Sequence, residues 1–160
     1  MLAVTLLCVG KLKEPYLEAA FAEYRKRLGA YCRFTTVEIP EQRLPDEPSE
    51  REIAAALEKE AAEIEKRIPA GAAVVAMCVE GTQLSSPAFA RRLADWQSAG
   101  RSQLCFIVGG SCGLAERVKR RAELRLSVSE MTFPHHLFRV MLAEQIYRAF
   151  TILAGRKYHK

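Results

Sequence analysis

The chain has 160 residues, 49% of them hydrophobic, and a formal net charge of +5. That length suits one ordinary domain spanning residues 1–160, and the apolar content excludes a wholly disordered chain. The positive charge is modest and fits a merely soluble surface, but it tilts the choice of partner toward an anion, nucleic acid being the commonest large one.

In chain order, residues 2–9 are a continuous apolar run closed by Gly10, the pattern of a strand buried on both faces. Pro15 stands at a first helical turn, and Tyr16, Ala19, Ala20, Tyr24 and Leu28 recur at helical spacing up to Gly29. Residues 34–39 read as a second strand, and the three prolines of residues 40–48 as an exposed loop. Ser49 and Glu52 have capping-box spacing and open a long Ala/Glu-rich helix that ends near Pro69. A strand over 73–79, a helix from Ser86 to Gly100 and a strand over 104–108 follow. The last of these runs into Gly109-Gly110-Ser111-Cys112-Gly113. A short basic helix near 114–121, a strand over 124–129 and a helix over 135–153 complete the chain. Strands alternating with helices predict an α/β fold with a mostly parallel sheet flanked by helices.

Five cysteines, an odd number with no C-x-x-C pair, argue against a disulfide framework or a zinc ribbon. The apolar start has no basic leader and is too short to span a bilayer, so a soluble cytoplasmic protein is expected, with no membrane partner. The last helix is apolar around most of its circumference: Leu142, Ile146, Phe150 and Leu153 form one stripe, and Val140, Met141, Ala143, Tyr147 and Ala149 widen it. Either it is the central helix of a monomer or a second copy covers it. A homodimer is the more economical expectation, because so small a chain has little material for both sides.

In parallel sheets, ligands bind where chains leave the carboxyl ends of strands. The Gly109-Gly110 loop lies at such an end, and glycines there let the backbone approach a ligand closely. It is neither a Walker A loop nor G-x-G-x-x-G, so neither a nucleoside triphosphate nor a dinucleotide is indicated. Residues 127–136 lie at another strand end. The three histidines have no accompanying metal-ligand spacing, so no metal is expected, and no hydrolase motif surrounds any Ser or Cys. Arg117, Lys119, Arg120, Arg121 and Arg125 form a basic cluster best read as a solvated face. The tail from Gly155 to Lys160 is either frayed or an RNA contact, offering cations for phosphate and Tyr158 or His159 for a base.

Several motifs stand in a familiar order: Val9-Gly10-Lys11-Leu12-Lys13, then Glu23-Tyr24-Arg25-Lys26-Arg27-Leu28, then Phe106-Ile107-Val108-Gly109-Gly110-Ser111. Met131-Thr132-Phe133-Pro134-His135, Arg139-Val140, Glu144-Gln145-Ile146-Tyr147-Arg148-Ala149 and Tyr158-His159-Lys160 follow. In order, spacing and length the chain resembles the RlmH (YbeA-like) family of SPOUT methyltransferases. The resemblance implies a homodimer with a C-terminal trefoil knot, a topology that general folding rules disfavour. It also implies S-adenosylmethionine as methyl donor and N3 of a pseudouridine in 23S ribosomal RNA, within the ribosome, as acceptor. A non-enzymatic ribosome-associated RNA-binding factor, or a SPOUT enzyme with another RNA acceptor such as transfer RNA, are the rival readings.

Carried over by position, the cofactor site comprises Met77, Gly109 and the run Val128, Ser129, Glu130, Met131, Thr132 and Phe133. The acceptor imide must lose a proton, and His159 beside Tyr158 is the candidate base, with Arg139 and Glu144 as polar contributors. Met77 departs from the family's usual Leu, and Cys78 stands at a usually acidic position. Cys112 and His136 fall at variable positions.

Overall fold

A computed structural model describes residues 1–160. Five strands, β1 (Ala3–Val9), β2 (Arg33–Ile39), β3 (Ala73–Gln83), β4 (Gln103–Val108) and β5 (Leu124–Ser127), form one sheet in the order β2-β1-β4-β3-β5. Every pairing is parallel. Helices α1 (Pro15–Leu28), α2 (Glu50–Arg67), α3 (Ser86–Ser98), α4 (Glu116–Arg121) and α5 (His135–Leu153) cover both faces.

The strand period of two divides the core. Val4, Leu6, Val75, Met77, Leu104 and Phe106 face α1, α3 and α5, whose Leu17, Phe21, Phe89, Leu93, Ile146 and Phe150 complete that layer. Leu7, Val9, Val74, Ala76, Cys105 and Ile107 face α2 and α4, meeting Ala61, Ile64 and Val118. Burial of both faces explains why β1 and β4 read as unbroken apolar runs. Cys8, Cys32 and Cys105 are core residues, their thiols pushed up to about 12 by burial. No helix is long and apolar enough to cross a membrane.

The capping box at α2 forms as expected. The Ser49 hydroxyl accepts the Glu52 N–H at 3.1 Å, and Glu52 Oε1 accepts the Ser49 N–H at 3.2 Å. Replacing Ser49 with Ala should cost about 1 kcal/mol in urea unfolding, and an unchanged midpoint would show the exposed box to be dispensable.

Two expectations need correction. β3 runs to Gln83, well beyond residue 79, because it meets β5 twice: Met77 pairs with Leu126, residues 78–81 bulge out, and Thr82 returns to the same residue. Gly81 makes the return possible, since a Cβ there would lie 2.8 Å from backbone atoms of Arg125 and Leu126. β5 stops at Ser127 and not at 129, because the Ser127 hydroxyl donates to the Ser129 carbonyl and turns the chain away. The last helix, α5, packs between α1 and α3 with eight residues buried, while Leu137 and Leu153 stay exposed.

After β5 the chain passes the ends of β3 and β4 to reach the end of β1. There His135 and His136, opening α5, lie beside Gly10. That passage assembles the site.

Candidate functional site: a cleft at the carboxyl ends of β3, β4 and β5

The loops that leave these three strands enclose a cleft of about 700 Å³, well within the usual range for small-ligand pockets. Met77, Leu126 and Phe138 give it apolar walls, while Ser111, Ser127, Ser129 and Thr132 add hydroxyls. Met77, Gly109, Val128, Ser129, Met131, Thr132 and Phe133 all line it, which brings seven of the eight residues expected to bind the cofactor into one place. Glu130 does not line the cleft and is exposed. The serines shape that turn, with Ser129 Oγ accepting the Met131 N–H at 2.9 Å.

The glycines are also required by contacts within the protein itself. A Cβ on Gly109 would lie 2.3 Å from the Gly113 carbonyl oxygen, and one on Gly110 would lie 2.5 Å from Glu41 Oε1. Both are glycine because the protein itself fills the space, and Gly113, at φ +79°, closes the turn through a bridge to Gly110.

Glu41, missed in the sequence because it sits in a proline-rich loop, accepts both the backbone N–H (2.8 Å) and the hydroxyl (2.7 Å) of Ser111. Burial raises its carboxyl pKa, but these two bonds outweigh burial and hold it below the ordinary value. Its other oxygen faces His135 Nε2 at 3.8 Å. Burial, then the neighbouring His136, keep His135 below the usual imidazole value, and its Nε2 has no hydrogen-bond partner. His136 is engaged by Glu14 at 3.0 Å.

Glu80 is the one carboxylate lining the cleft, and it pairs with Lys119 of α4. Cys78 thus leaves the β3 bulge without an acid at its own position, but one stands two residues on. Arg117 pairs with Glu58 and Glu65, and Arg125 with Glu116. The basic cluster is therefore largely neutralised, as its reading as a solvated face anticipates.

The residues expected to act on the acceptor fall in two other places. Tyr158, His159 and Glu144 form a cluster on α5. Glu144 Oε1 accepts from Arg148 Nε (2.9 Å) and from the Tyr158 hydroxyl (3.0 Å). Arg148 Nη1 lies 3.3 Å from His159 Nδ1, and its guanidinium stacks 4.7 Å from the Tyr158 ring centroid. Burial, then hydrogen bonds with Tyr24 and Glu144, raise the Tyr158 pKa and keep its phenol protonated. The tail is thus docked and not frayed. Neither Tyr158 nor His159 lines the cleft of its own chain. Glu144 lines an adjoining groove of about 450 Å³ that shares Leu126, Ser127 and Val128 with the cleft.

Arg139 is elsewhere again. It is 2% exposed, with Nη1 on Glu38 Oε2 at 2.5 Å and Nη2 on the Gly10 carbonyl at 3.0 Å. It is a buried strut between the ends of β1 and β2, and it does not line the cleft.

A parallel sheet with a cleft at its carboxyl ends, closed by a glycine turn, defines an α/β protein of the kind that binds small ligands at this end of the sheet. A family model described as "Predicted SPOUT methyltransferase" matches residues 2–159. The chain is 48% identical over 157 residues to the ribosomal RNA large subunit methyltransferase H of Bifidobacterium animalis subsp. lactis, covering 98% of this chain and 99% of that one. It is 44% identical, at the same coverages, to the protein named ribosomal RNA large subunit methyltransferase H 1 of Clostridium perfringens. Among solved structures, a probable methylase family protein from Haemophilus influenzae superposes with a TM-score of 0.57 at 12% identity, covering 100% of this chain and 72% of that one. At that identity the likeness speaks for the fold alone. The chain belongs to the SPOUT methyltransferase family, and within it to the RlmH group.

Proposed function

We propose that this protein transfers a methyl group from S-adenosylmethionine to N3 of a pseudouridine in 23S ribosomal RNA, acting as a cytoplasmic homodimer on the ribosome. The observation that carries this reading is the cleft itself, which gathers seven of the eight family cofactor positions. The lining fits the donor's chemistry: apolar walls suit a flat base and a thioether-like chain, hydroxyls and Glu80 suit a ribose, and the Lys119–Glu80 pair leaves no net cation to repel a sulfonium. The trefoil threading implied by the family is part of the proposal, and the passage of residues 128–134 across the ends of β3 and β4 supports it.

When bound, S-adenosylmethionine supplies a methyl group activated by a sulfonium. The chain's residues must then hold the acceptor in line with that methyl and exclude water. Met77, Leu126 and the turn at 127–131 form the walls that do so. The acceptor enters from the adjoining groove beside Glu144. His159 takes the imide proton at Nδ1 once Arg148 releases that atom, while Tyr158 and Glu144 hold the tail. The tail of one protomer serves the cleft of the other, since its own chain keeps it away from the cleft. If His159→Ala retained full single-turnover rates on saturating ribosomes, the base assignment would be wrong.

Nucleoside mass analysis of ribosomes from a strain lacking this protein tests the whole reading. Loss of methylpseudouridine from 23S RNA is expected. An unchanged level with tight S-adenosylmethionine binding points to another RNA acceptor, and no binding by calorimetry points to a non-enzymatic RNA-binding factor. Purified 23S RNA should be a poor substrate beside ribosomes, because a small protein of charge +5 gains little from phosphate contacts alone.

A further inference from the structure

We infer that Glu41 is a positioning residue that clasps the glycine loop into its ligand-holding shape and so sets the affinity for the methyl donor. The ligand part of this inference rests on the function proposed above; the loop-ordering part does not.

A loop of three glycines in five residues has far more backbone freedom to lose than an ordinary sequence of its length. Something must hold it, and its own bridge between Gly110 and Gly113 ties only its two ends. Glu41 supplies the middle. One carboxylate oxygen accepts both the N–H and the hydroxyl of Ser111, and it packs so closely on Gly110 that a Cβ there would overlap it.

Glu41 is itself held. The neighbouring Gln42 N–H donates at 2.8 Å to Glu60, a carboxylate on α2 that is 6% exposed. Its second oxygen lies 3.5 Å from the Cβ position of Gly10 and faces His135 at the start of α5. The side chain therefore joins the ends of β1 and β2, the cleft loop after β4 and the first turn of α5. Glu41 does not line the cleft, whereas Gly110 and Ser111 do. It acts through the loop and touches no ligand. Preorganisation of this kind lowers the ordering cost of binding and leaves the chemical step alone.

Hydrogen bonds to a charged acceptor typically change a binding constant by about tenfold to a hundredfold when the loop they order is lost. Glu41→Ala is expected to weaken S-adenosylmethionine binding by that factor in calorimetry. It should raise KM for the donor in parallel and leave kcat at saturation within about twofold. Glu41→Gln, which keeps an acceptor oxygen, should recover most of the affinity, and Ser111→Ala, which loses only the hydroxyl bond, should lose about threefold to tenfold. In the free protein, exchange of the Ser111 amide should quicken at least tenfold in Glu41→Ala and stay near wild type in Glu41→Gln. Wild-type protein that fails to bind the donor would sink the function while leaving the exchange result to judge the clasp. Wild-type exchange in Glu41→Ala overturns the inference outright. So does unchanged affinity, or a fall in kcat at unchanged affinity. If Glu41→Ala does not fold, Ser111→Ala and Glu41→Gln carry the same comparison.

Discussion

Replacing Arg139 with Met is expected to destabilise the protein by about 3 kcal/mol, read as a lower urea midpoint at pH 7. The guanidinium is among the largest fully buried side chains and bridges Glu38 to the Gly10 carbonyl. Removing it strands a buried carbonyl and leaves Glu38 without its counter-charge. The cost sits at the lower end for broken buried pairs because the Glu38 side chain is 37% exposed and recovers water. The effect should also depend on pH. Burial pushes the Glu38 carboxyl up, but the Leu12 N–H and Arg139 outweigh it and hold the folded pKa below the ordinary 4.5. A carboxylate depressed in this way contributes its stability above the unfolded value and loses it as pH falls through the folded one. The gap between wild type and Arg139→Met should therefore narrow below about pH 4.5. A gap that stays constant down to pH 3 would show that packing, not the pair, is what Arg139 provides.

Gly109→Ala is the second large effect. Its Cβ would lie 2.3 Å from the carbonyl oxygen, 2.5 Å from the carbonyl carbon and 3.0 Å from the Cα of Gly113, all backbone atoms in a closed turn. No flexible side chain can move aside, so the turn itself must open, at about 2–4 kcal/mol and with loss of the cleft's shape. Gly100→Ala is the informative control. Nothing lies within 4 Å of its Cβ position, but its φ is +83°, so it should cost only about 1 kcal/mol of backbone strain. Thermal unfolding and donor binding measured on both variants separate the two causes. Equal losses would mean that the close approach at Gly109 is relieved more easily than the turn suggests.

Much of the fold was legible because local signals carried it. The apolar runs of β1 and β4, Pro15 opening α1 and the Ser49–Glu52 box are choices a chain makes over a few residues. The place of the cleft was legible for the same reason: Gly109 and the turn around Ser129, which line it, punctuate strand ends. Motifs from Val9 to Lys160, in order and spacing, carried the family, and the family match spans residues 2–159.

What stayed hidden depends on partners distant in sequence. Glu41 looks like one more charge in a proline-rich loop, and its partner Ser111 is 70 positions away. Nothing near Arg139 in sequence revealed Glu38, 101 positions earlier, as its buried partner. The far end of β3 carries Glu80, Gly81 and Thr82, a polar stretch that reads as a loop until β5 lies beside it. The packing of α5 between α1 and α3, folded back over the sheet, was likewise not legible from its apolar girth.

The sequence by itself thus determined the alternation of strands and helices, the buried parallel sheet, the cleft's lining loops and the family, because each rests on periodicity, capping or motif within a short span. Only the tertiary structure decided the strand order, the double contact of β3 with β5, the clasp of Glu41 and the placing of the tail away from the cleft of its own chain. These are contacts between residues whose pairing is selected by the packing of the whole sheet, and no local preference encodes them.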